Sequence, residues 1–363
     1  MQKNNRTILL LCPYPHGHAP SQRFRFEQYL DALRQRNFEI DFRSFLSESG
    51  WRILYTRGNV FQKTAALAAG FLRRLGLLFR AIPRADLVFI HREASPIGPP
   101  LLEFIIAKVF RKRIIYDFDD AIWLPNTSEE NALAAMVKWH SKVGLICRWS
   151  ERVSVGNEYL GAYASKYNPQ VIINPTTVDT ARTRQPISVK VSKKRVTIGW
   201  TGSHSTLRYL QLIEPVLLAL EREFPERLDF LFIADRAPSL QLKNMTFAPW
   251  SEETEIADLA RIDIGIMPLE DDAWAKGKCG LKALQYMAMA IPTVASPVGV
   301  NLQIIDHGTN GCLCDSLESW TSHLRALIID SSLRKRMGEA GEKKVGTSYS
   351  TVSNTSLFLS LFE

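Results

Sequence analysis

Three aspartates stand close together directly after an apolar stretch of the sequence. Residues 114–125 read IIYDFDDAIWLP, in which Asp117, Asp119 and Asp120 follow a β-branched run that is typical of a buried strand. Carboxylates at a strand end hold a metal ion, act as acid or base, or cap the next helix. Three adjacent acids without a distant fourth ligand rarely complete a metal site, so we expect none here. We interpret Asp120 as the cap of a short helix over 121–124.

A second group of small, polar residues follows a predicted strand in the second half of the chain. Residues 196–213 read VTIGWTGSHSTLRYLQLI, so Gly202 and Ser203 stand where a strand leads into a helix predicted over 206–223. Such a turn leaves backbone N–H groups free to cradle a phosphate. The alternative is that Ser205 is a plain N-cap of that helix.

Two lysines flank another predicted helix start. Residues 277–290 read GKCGLKALQYMAMA, and the helix begins at Gly280 and Leu281. Lys278 and Lys282 lie at this end, where the helix dipole disfavours positive charge unless an anion sits between them. A diphosphate would relieve that conflict. The alternative is a pair of solvated lysines.

The first strand–helix turn and the end of the third strand carry basic and histidine side chains. The sequence PHGHAPSQRFR follows the first strand, and HREASP follows the third. A phosphate or other anion at such strand ends would find cations here, although each residue could equally bridge loops. The candidate ligand-binding residues of this half are His16, Gly17, His18, Arg23, Arg25 and Arg92.

Composition limits the classes of protein to consider. The chain has 363 residues, enough for two domains, and five scattered cysteines without a paired Cys-x-x-Cys arrangement, so neither a disulfide framework nor a zinc site is indicated. The first apolar stretch is too short for the core of a signal peptide, and we expect a reducing cytosol. Residues 1–180 carry the whole net charge of +8, which favours anionic partners there. Nucleic acid is disfavoured, because the basic residues lack a readable helix or an aromatic platform.

Short apolar strands alternate with helical stretches along both halves of the chain, among them helices predicted over 21–35 and 129–149. This alternation predicts an α/β protein with two doubly wound parallel sheets. We predict a first domain over 1–180 and a polar linker over 181–194. A second domain follows over 195–346, and a helix over 347–363 packs back on the first domain. Ligands of such sheets bind at the carboxyl ends of strands, so the expected site is a cleft between the domains.

The stretch GFLRRLGLLFRAIPR predicts a basic amphipathic helix within a helical segment near 61–82. Its face either lies on an anionic membrane or packs on the sheet, and no stretch is free of charge for the ~20 residues of a transmembrane helix. The apolar face is predicted to hold Phe71, Leu75, Leu78, Phe79 and Ile82, with Arg73, Arg74, Arg80 and Arg84 around the other side.

From Thr197 to Ser350 the sequence resembles the GT-B-fold glycosyltransferases of the family-4 (glycosyl transferases group 1) type. The matching pieces are IGWTGS, DIGIMPL, GLKALQYMAMAIPTVASPVGVN, IIDHGTNGCLC and the closing LRKRMGEAG, in that order; PYPHGHAPSQRFRFEQYL, HREASPIGPP, YDFDDAIW and VGNEYL agree more loosely. The resemblance implies two Rossmann-like domains that face a cleft. It further implies a nucleotide-sugar donor on the C-terminal domain, an acceptor on the N-terminal one, and retention at the anomeric carbon. Asp117 and Asp119 would then face the cleft and touch sugar hydroxyls.

The sequence departs from that family at two glutamates, which correspond to Gly277 and Gln285. Gln285 can still bond a ribose hydroxyl, but Gly277 cannot replace a carboxylate near the donor sugar. We expect one acid of the longer preceding loop to supply it, and the candidates are Glu270, Asp271 and Asp272. Ser203 and Thr206 stand near the position of a missing family cation, and Lys278 and Lys282 are its expected substitutes.

The resemblance implies a metal-independent hexosyltransferase of bacterial surface-polysaccharide assembly, with no cofactor beyond its nucleotide-diphosphate sugar. Catalysis would rest on Asp117, Asp119, Lys278 and Lys282. The expected partners are the nucleotide sugar, a glycan or lipid-linked acceptor and an anionic membrane surface, with no nucleic acid. Two other functions stay open: a same-fold nucleotide-sugar epimerase, and a non-catalytic sugar-nucleotide-binding protein.

Overall fold

The chain divides into two compact units. The structure is a computed structural model that describes residues 6–54, 58–125, 139–183 and 195–363. Unit 1 comprises Met1–Thr176 and Thr355–Glu363, and unit 2 comprises Thr177–Asn354. Most of the predicted linker, residues 184–194, lies outside the described residues.

Unit 1 is built on a six-stranded parallel sheet of order β2-β1-β3-β4-β5-β6. Leu10 at the middle of β1 lies opposite Phe42 of β2 and Phe89 of β3. The central strands are almost entirely buried, as expected of a parallel sheet covered on both faces. The strands are β1 (Arg6–Cys12), β2 (Phe38–Ser44), β3 (Leu87–His91), β4 (Arg113–Phe118), β5 (Arg152–Val155) and β6 (Val171–Ile173).

Helices cover both faces of this sheet. One face is packed by Phe26, Tyr29 and Leu33 together with the end of the chain, where Phe358 stacks on Tyr29 at a centroid distance of 4.4 Å. Right-handed crossovers from β2 to β3 and from β3 to β4 place their helices on the opposite face. The helices of unit 1 are α1 (Pro20–Arg23), α2 (Leu30–Gln35), α3 (Glu48–Leu54), α4 (Val60–Phe79), α5 (Ala81–Arg84), α6 (Leu101–Phe104), α7 (Lys142–Trp149) and α8 (Glu158–Ala164), with a 3₁₀ turn at Glu27–Tyr29 and a π-helical turn at Ile105–Val109.

Unit 2 repeats this architecture with a parallel sheet of order β12-β11-β10-β7-β8-β9. Ile198, Trp200 and Phe230 anchor the core on one face, and Leu231, Ile262 and Tyr286 anchor the core on the other. The strands are β7 (Val196–Thr201), β8 (Leu228–Ala234), β9 (Met245–Pro249), β10 (Ile264–Met267), β11 (Thr293–Ala295) and β12 (Gly311–Leu313).

The two longest helices of unit 2 lie near the end of the chain, at Leu317–Ile329 and Ser331–Lys344. They are α9 (Thr180–Thr183), α10 (Glu214–Glu223), α11 (Glu255–Leu259), α12 (Ala273–Lys276), α13 (Leu281–Ala288), α14 (Asn301–Ile304), α15 (Leu317–Ile329), α16 (Ser331–Lys344) and α17 (Thr351–Ser360), which continues into unit 1 from Thr355, with a 3₁₀ helix at His204–Leu212 and a π-helical turn at Val345–Tyr349.

Three predicted helices differ from the observed elements. The helix predicted over 21–35 is broken into α1, a 3₁₀ turn and α2, and the one predicted over 206–223 is a 3₁₀ helix followed by α10. Pro215 explains the second break, because proline favours the first turn of a new helix. The residues 121–124 form a turn rather than a helix. Of the helix predicted over 129–149, residues 129–138 lie outside the described part.

Arg74 and Ile82 depart from the predicted faces of the amphipathic segment. Ile82 is buried, whereas Leu75 and Phe79 are exposed, and Arg74 lies inside the unit rather than in solvent. Its guanidinium donates to the carbonyls of Cys12, Arg43 and Ala94, which accept at 2.9, 2.9 and 2.7 Å. Among the described residues, none of the helices combines the length and apolar character needed to cross a bilayer.

Candidate functional site

In unit 2, two motifs that are 80 residues apart in the sequence meet at the end of β7. The Nζ atom of Lys282 lies 5.2 Å from the centroid of the Trp200 ring. A Cβ atom on Gly202 would lie 2.4 Å from that ring and 2.9 Å from the Lys282 Cε, so only glycine fits beneath the lysine. The sequence predicted both elements as phosphate-binding, and the structure brings them together.

Gly280 sets the start of α13. Its φ of 70° is in the left-handed region, and a Cβ would lie 2.2 Å from the Ile304 side chain. Gly280 has no side chain that could cap the helix, and the first-turn N–H groups of an α-helix have no intrahelical acceptor. This end of α13 therefore presents N–H donors and a positive dipole end to an anion.

The turn after β7 offers fewer amides than expected. The Gly202 N–H donates to the Ile233 carbonyl at 3.0 Å, because pairing with β8 continues one residue past the strand. A second amide of this turn, the His204 N–H, is held by Asp235 at 2.6 Å. Thr206 was expected to bind the donor, but its hydroxyl donates to the Ser203 carbonyl at 3.0 Å and closes the turn. Ser203 itself is exposed.

Lys278, the other predicted lysine, lies three residues before the start of α13. The Nζ of Lys278 is 5.9 Å from the centroid of the Trp274 ring, on α12. This indole therefore orients Lys278 much as Trp200 orients Lys282. Both lysines are half-buried against an indole, which holds the stem of the side chain in place.

The three acids of the loop between β10 and α12 have different contacts. Asp272 caps α12 by accepting from the Ala275 N–H at 2.6 Å, and Asp271 pairs with Lys276 at 3.0 Å. Glu270 is exposed and contributes to raising the pKa of Arg208, whose largest cause is a hydrogen bond with Tyr209. Of the three candidates for the missing family carboxylate, Glu270 is the one that neither caps a helix nor pairs with a lysine in this loop.

Gln285 has a partner that the sequence did not reveal. Its side-chain amide donates to Glu255 at 3.2 Å, and the Trp250 indole N–H donates to the same carboxylate oxygen at 3.2 Å. Glu255 is buried at the start of α11. It stands 30 positions from Gln285 on a different helix, so no local pattern could have linked them.

In unit 1, the candidate residues follow β1, β3 and β4, which are neighbours in the sheet. After β1, the Gly17 N–H donates to Glu27 at 2.9 Å, and its φ of 84° requires a residue without a Cβ. His18 lies 2.5 Å from the Glu48 carboxylate and stacks on Trp51. His16 is exposed and packs edge-on against Phe42. This loop therefore keeps His16 and His18 at the surface.

Arg92 joins two of the three aspartates. Its guanidinium donates to Asp119 at 2.8 Å and to Asp120 at 2.6 Å. Burial alone would lower the pKa of Arg92, but these two carboxylates outweigh burial and raise it. The expectation that Asp120 caps a helix is not met, because Arg92 holds its side chain instead.

Asp117 lies beneath this surface and contacts other side chains. Its carboxylate pairs with Arg25, and it accepts from the Ser154 hydroxyl at 2.6 Å and lies 2.8 Å from His91 Nδ1. Burial alone would raise the pKa of Asp117, but Arg25 and the hydrogen bond from His91 hold it well below its usual range. The expectation that Asp117 and Arg25 face a ligand is therefore not met, since both are buried in the same ion pair.

The same network contains a histidine that the site prediction omitted. His91 is fully buried, and its Nε2 has no hydrogen-bond partner among the described residues. Asp117 fixes the ring through Nδ1, so Nε2 is oriented by the carboxylate. Arg23, the remaining candidate, is buried over the Phe24 ring, with its Cζ 5.1 Å from the centroid.

Within the ranges that the structure describes, no three His, Cys, Asp or Glu side chains are grouped so as to hold a metal ion. Asp119 and Asp120 both contact Arg92, which places a positive charge where a cation would have to bind.

The fold is that of the GT-B glycosyltransferases, as the resemblance implied. The chain is similar to the crystal structure of sucrose-phosphate synthase from Thermosynechococcus elongatus, with 13% identity, 98% of each chain covered and a TM-score of 0.68. It is also similar to a glycosyltransferase from Rickettsia africae, with 14% identity, 99% and 98% coverage and a TM-score of 0.66. HepE from Anabaena in complex with UDP-glucose gives 12% identity, 98% and 99% coverage and a TM-score of 0.67.

The family match lies in unit 2. Residues 195–330 match the family model described as "Glycosyl transferases group 1", which confirms the resemblance that the motifs of this half indicated. No curated protein matches the chain. The matched range contains the Gly202 turn, the acidic loop and the start of α13.

Proposed function

We propose that this chain is a glycosyltransferase that moves a sugar from a nucleotide-diphosphate donor to a hydroxyl acceptor. The observation that carries the proposal is the meeting of Lys282, at the start of α13, with Gly202 at the end of β7. Unit 2 would bind the donor, and the strand ends of unit 1 would bind the acceptor.

The chemistry follows from where negative charge develops. Breaking the sugar–phosphate bond leaves charge on a diphosphate, and fixed donors that already point at those oxygens lower the barrier. Lys282, Lys278 and the first amides of α13 are such donors, whereas the Gly202 and His204 amides of the turn after β7 already have acceptors within unit 2. The acceptor hydroxyl would attack from the face that the phosphate leaves, and the leaving phosphate would take its proton. The reaction then needs no protein nucleophile and retains the anomeric configuration.

The nucleoside would lie against Glu255 and Gln285. A ribose presents two hydroxyl groups that donate hydrogen bonds, and the Glu255 carboxylate is oriented by Gln285 and Trp250 to accept them. Glu255 thus offers a carboxylate close to the position at which the related sequences have a glutamate and this chain has Gln285.

The proposed donor is a nucleotide-diphosphate hexose, and the proposed acceptor is a glycan. HepE was crystallised with UDP-glucose, which makes a uridine-diphosphate hexose the first donor to test here. The acceptor would be a glycan or lipid-linked glycan of bacterial surface-polysaccharide assembly, met by His16 and His18 and by the Arg92–Asp119 pair. We further propose that catalysis is independent of metal ions.

The experiment combines binding and turnover. The unfolding temperature of the protein is measured with UDP, GDP and ADP and with their sugars, for the wild type and for Lys282→Ala. We expect one base to raise the midpoint in the wild type and much less in the variant. The Lys335→Ala variant, which removes an exposed lysine of α16, should respond like the wild type.

Turnover then separates the three candidate functions. A transferase releases nucleoside diphosphate only when an acceptor is added, and EDTA leaves that rate unchanged. An epimerase interconverts the donor sugar without an acceptor. A thermal shift without either reaction would leave a binding protein, and no shift with any nucleotide would contradict the proposal.

A further inference from the structure

The outward face of α4 carries a row of large apolar side chains. Phe61 is 86% exposed, Leu72 68%, Leu75 55% and Phe79 83%. At about 100° per residue, these four side chains lie within about 40° of one line along the helix. The row is about 27 Å long at the helical rise of about 1.5 Å per residue.

The opposite side of α4 already meets the packing needs of the fold. Gly70, Arg74 and Leu77 are buried there, and a Cβ on Gly70 would lie 2.6 Å from the Phe45 ring. The outward row therefore adds nothing to the core of unit 1. Burying a phenylalanine or leucine is worth about 1.5–3 kcal/mol, so a row of four left in water needs an explanation.

A second apolar group lies on the same face of the sheet. Leu101, Phe104 and Val109 are exposed on the connection from β3 to β4, which right-handed crossovers place beside α4. Lys112, at the end of this connection, donates to the Pro83 carbonyl at 2.9 Å and so links it to α5. Of the 14 large apolar side chains exposed in the described residues, eight lie on these two connections, which cover the same side of the sheet of unit 1.

The charge around this face has one sign. The sequence between Glu48 and Asp86 contains seven lysine and arginine residues and not one acid. Arg73, Arg80 and Arg84 are exposed, but the Arg73 guanidinium donates to the Phe45 carbonyl at 2.6 Å. Arg80 lies about 100° around the helix from the apolar row, and the long stems of Arg80 and Arg84 allow their guanidinium groups to reach phosphates at its border.

We propose that this face, formed by α4 and the exposed residues of the β3–β4 connection, docks on an anionic lipid bilayer. Apolar side chains would enter the boundary between headgroups and acyl chains, and the arginines would contact lipid phosphates. A protein partner of mixed charge would leave these arginines without complementary groups. The inference rests on this face alone and holds whether or not the chain is a transferase.

Flotation of the full chain with vesicles tests the proposal without any substrate. We expect binding to vesicles in which about a third of the lipid is phosphatidylglycerol, and little binding to phosphatidylcholine alone. Binding should weaken when salt rises from about 0.1 M to about 1 M, because the Debye length falls from about 10 Å to about 3 Å.

Paired variants separate the apolar and the charged contributions. Phe61→Ser/Phe79→Ser should lower the partition coefficient at least tenfold, and Arg80→Gln/Arg84→Gln should lower it about tenfold on anionic vesicles. The matched controls are Ile329→Ser/Val352→Ser and Lys335→Gln/Arg336→Gln, which change exposed residues of unit 2. All four variants should keep the wild-type unfolding midpoint.

Three results would overturn the proposal. The first is no binding, or equal binding to both vesicle types. The second is an equal loss in the control variants. The third is a lipid-free dimer, measured by light scattering, that Phe61→Ser/Phe79→Ser converts to monomer, because the face would then be an interface between two copies of this chain.

Discussion

At the end of β4 in unit 1, Asp117 is buried against Arg25, whereas at the end of β7 in unit 2, Lys282 is half-buried over the Trp200 ring. Arg92 likewise joins Asp119 and Asp120 in unit 1. The strand ends of unit 1 therefore carry acids and cations that neutralise each other. The corresponding end of unit 2 carries lysines held against indoles and a helix start without a side-chain cap.

This difference separates charge that supports the fold from charge that remains for a ligand. Two ions removed from water repay their desolvation only through close contact and hydrogen bonds, and removing one partner leaves the other buried and uncompensated. A cation that stays partly hydrated avoids most of the desolvation cost, and its attraction to an anion strengthens when a bound ligand displaces the water. Substitutions in unit 1 should therefore act on folding, and substitutions in unit 2 should act on donor binding and turnover.

The largest expected effect is that of Asp117→Asn on stability. The substitution leaves Arg25 buried without its counter-charge, and we expect the free energy of unfolding to fall by about 3–5 kcal/mol. Urea denaturation measures the change. Asp119→Asn is the matched control, because its partly exposed pair with Arg92 should cost at most about 1 kcal/mol. Equal effects of the two substitutions would remove the distinction between buried and surface charge in unit 1.

The pH dependence of stability sharpens the same prediction. The folded state holds the pKa of Asp117 below the unfolded value of about 3.9, so its stabilisation is complete above that pH and is lost as the pH falls below it. The stability difference between the wild type and Asp117→Asn should therefore shrink below about pH 4. A difference that is constant from neutral to acid pH would mean that the ion pair does not set it.

In unit 2, Lys282→Ala should act on catalysis rather than on folding. We expect kcat to fall about 10²-fold or more, as after the loss of one preorganised donor, with an unfolding midpoint close to that of the wild type. Lys282→Arg keeps the charge but not the shape and should recover only part of the rate. A large loss of stability with unchanged kcat would mean that Lys282 supports the fold, as Arg25 does in unit 1, and does not take part in catalysis.

The sequence predicted the strands of both sheets because buried parallel strands are short, continuous apolar runs such as LDFLFIA at β8. It also predicted that Gly202 and Lys282 belong to one site, through the order of motifs. It could not predict the ion pair between Arg25 and Asp117, which joins residues 92 positions apart. It did not predict the burial of Arg74 either, because the three carbonyls that accept from its guanidinium belong to other segments of the chain, and a burial of this kind has no periodic signature.

A smaller effect is expected in the acidic loop of unit 2. Glu270→Gln should raise the KM for the donor sugar about tenfold, the loss of one charge-assisted hydrogen bond, since Glu270 is the acid that neither caps α12 nor pairs with Lys276. Asp271→Asn is the control and should leave KM unchanged. If the two substitutions act alike, the missing family carboxylate is not replaced from this loop.

The smallest expected effect tests whether a buried carboxylate in unit 2 also serves a ligand. Glu255 accepts from Gln285 and from Trp250, so by burial it resembles Asp117, but its partners are neutral. Glu255→Gln keeps the size of the side chain and removes the acceptor for ribose hydroxyls, so affinity for the nucleoside diphosphate should fall about three- to tenfold at constant kcat. The loss should be smaller for a 2′-deoxyribonucleoside diphosphate, which has one hydroxyl fewer to lose. An equal loss of affinity for both nucleotides would mean that Glu255 only holds α11 against α13. The buried acid of unit 2 would then support the fold, as Asp117 does in unit 1.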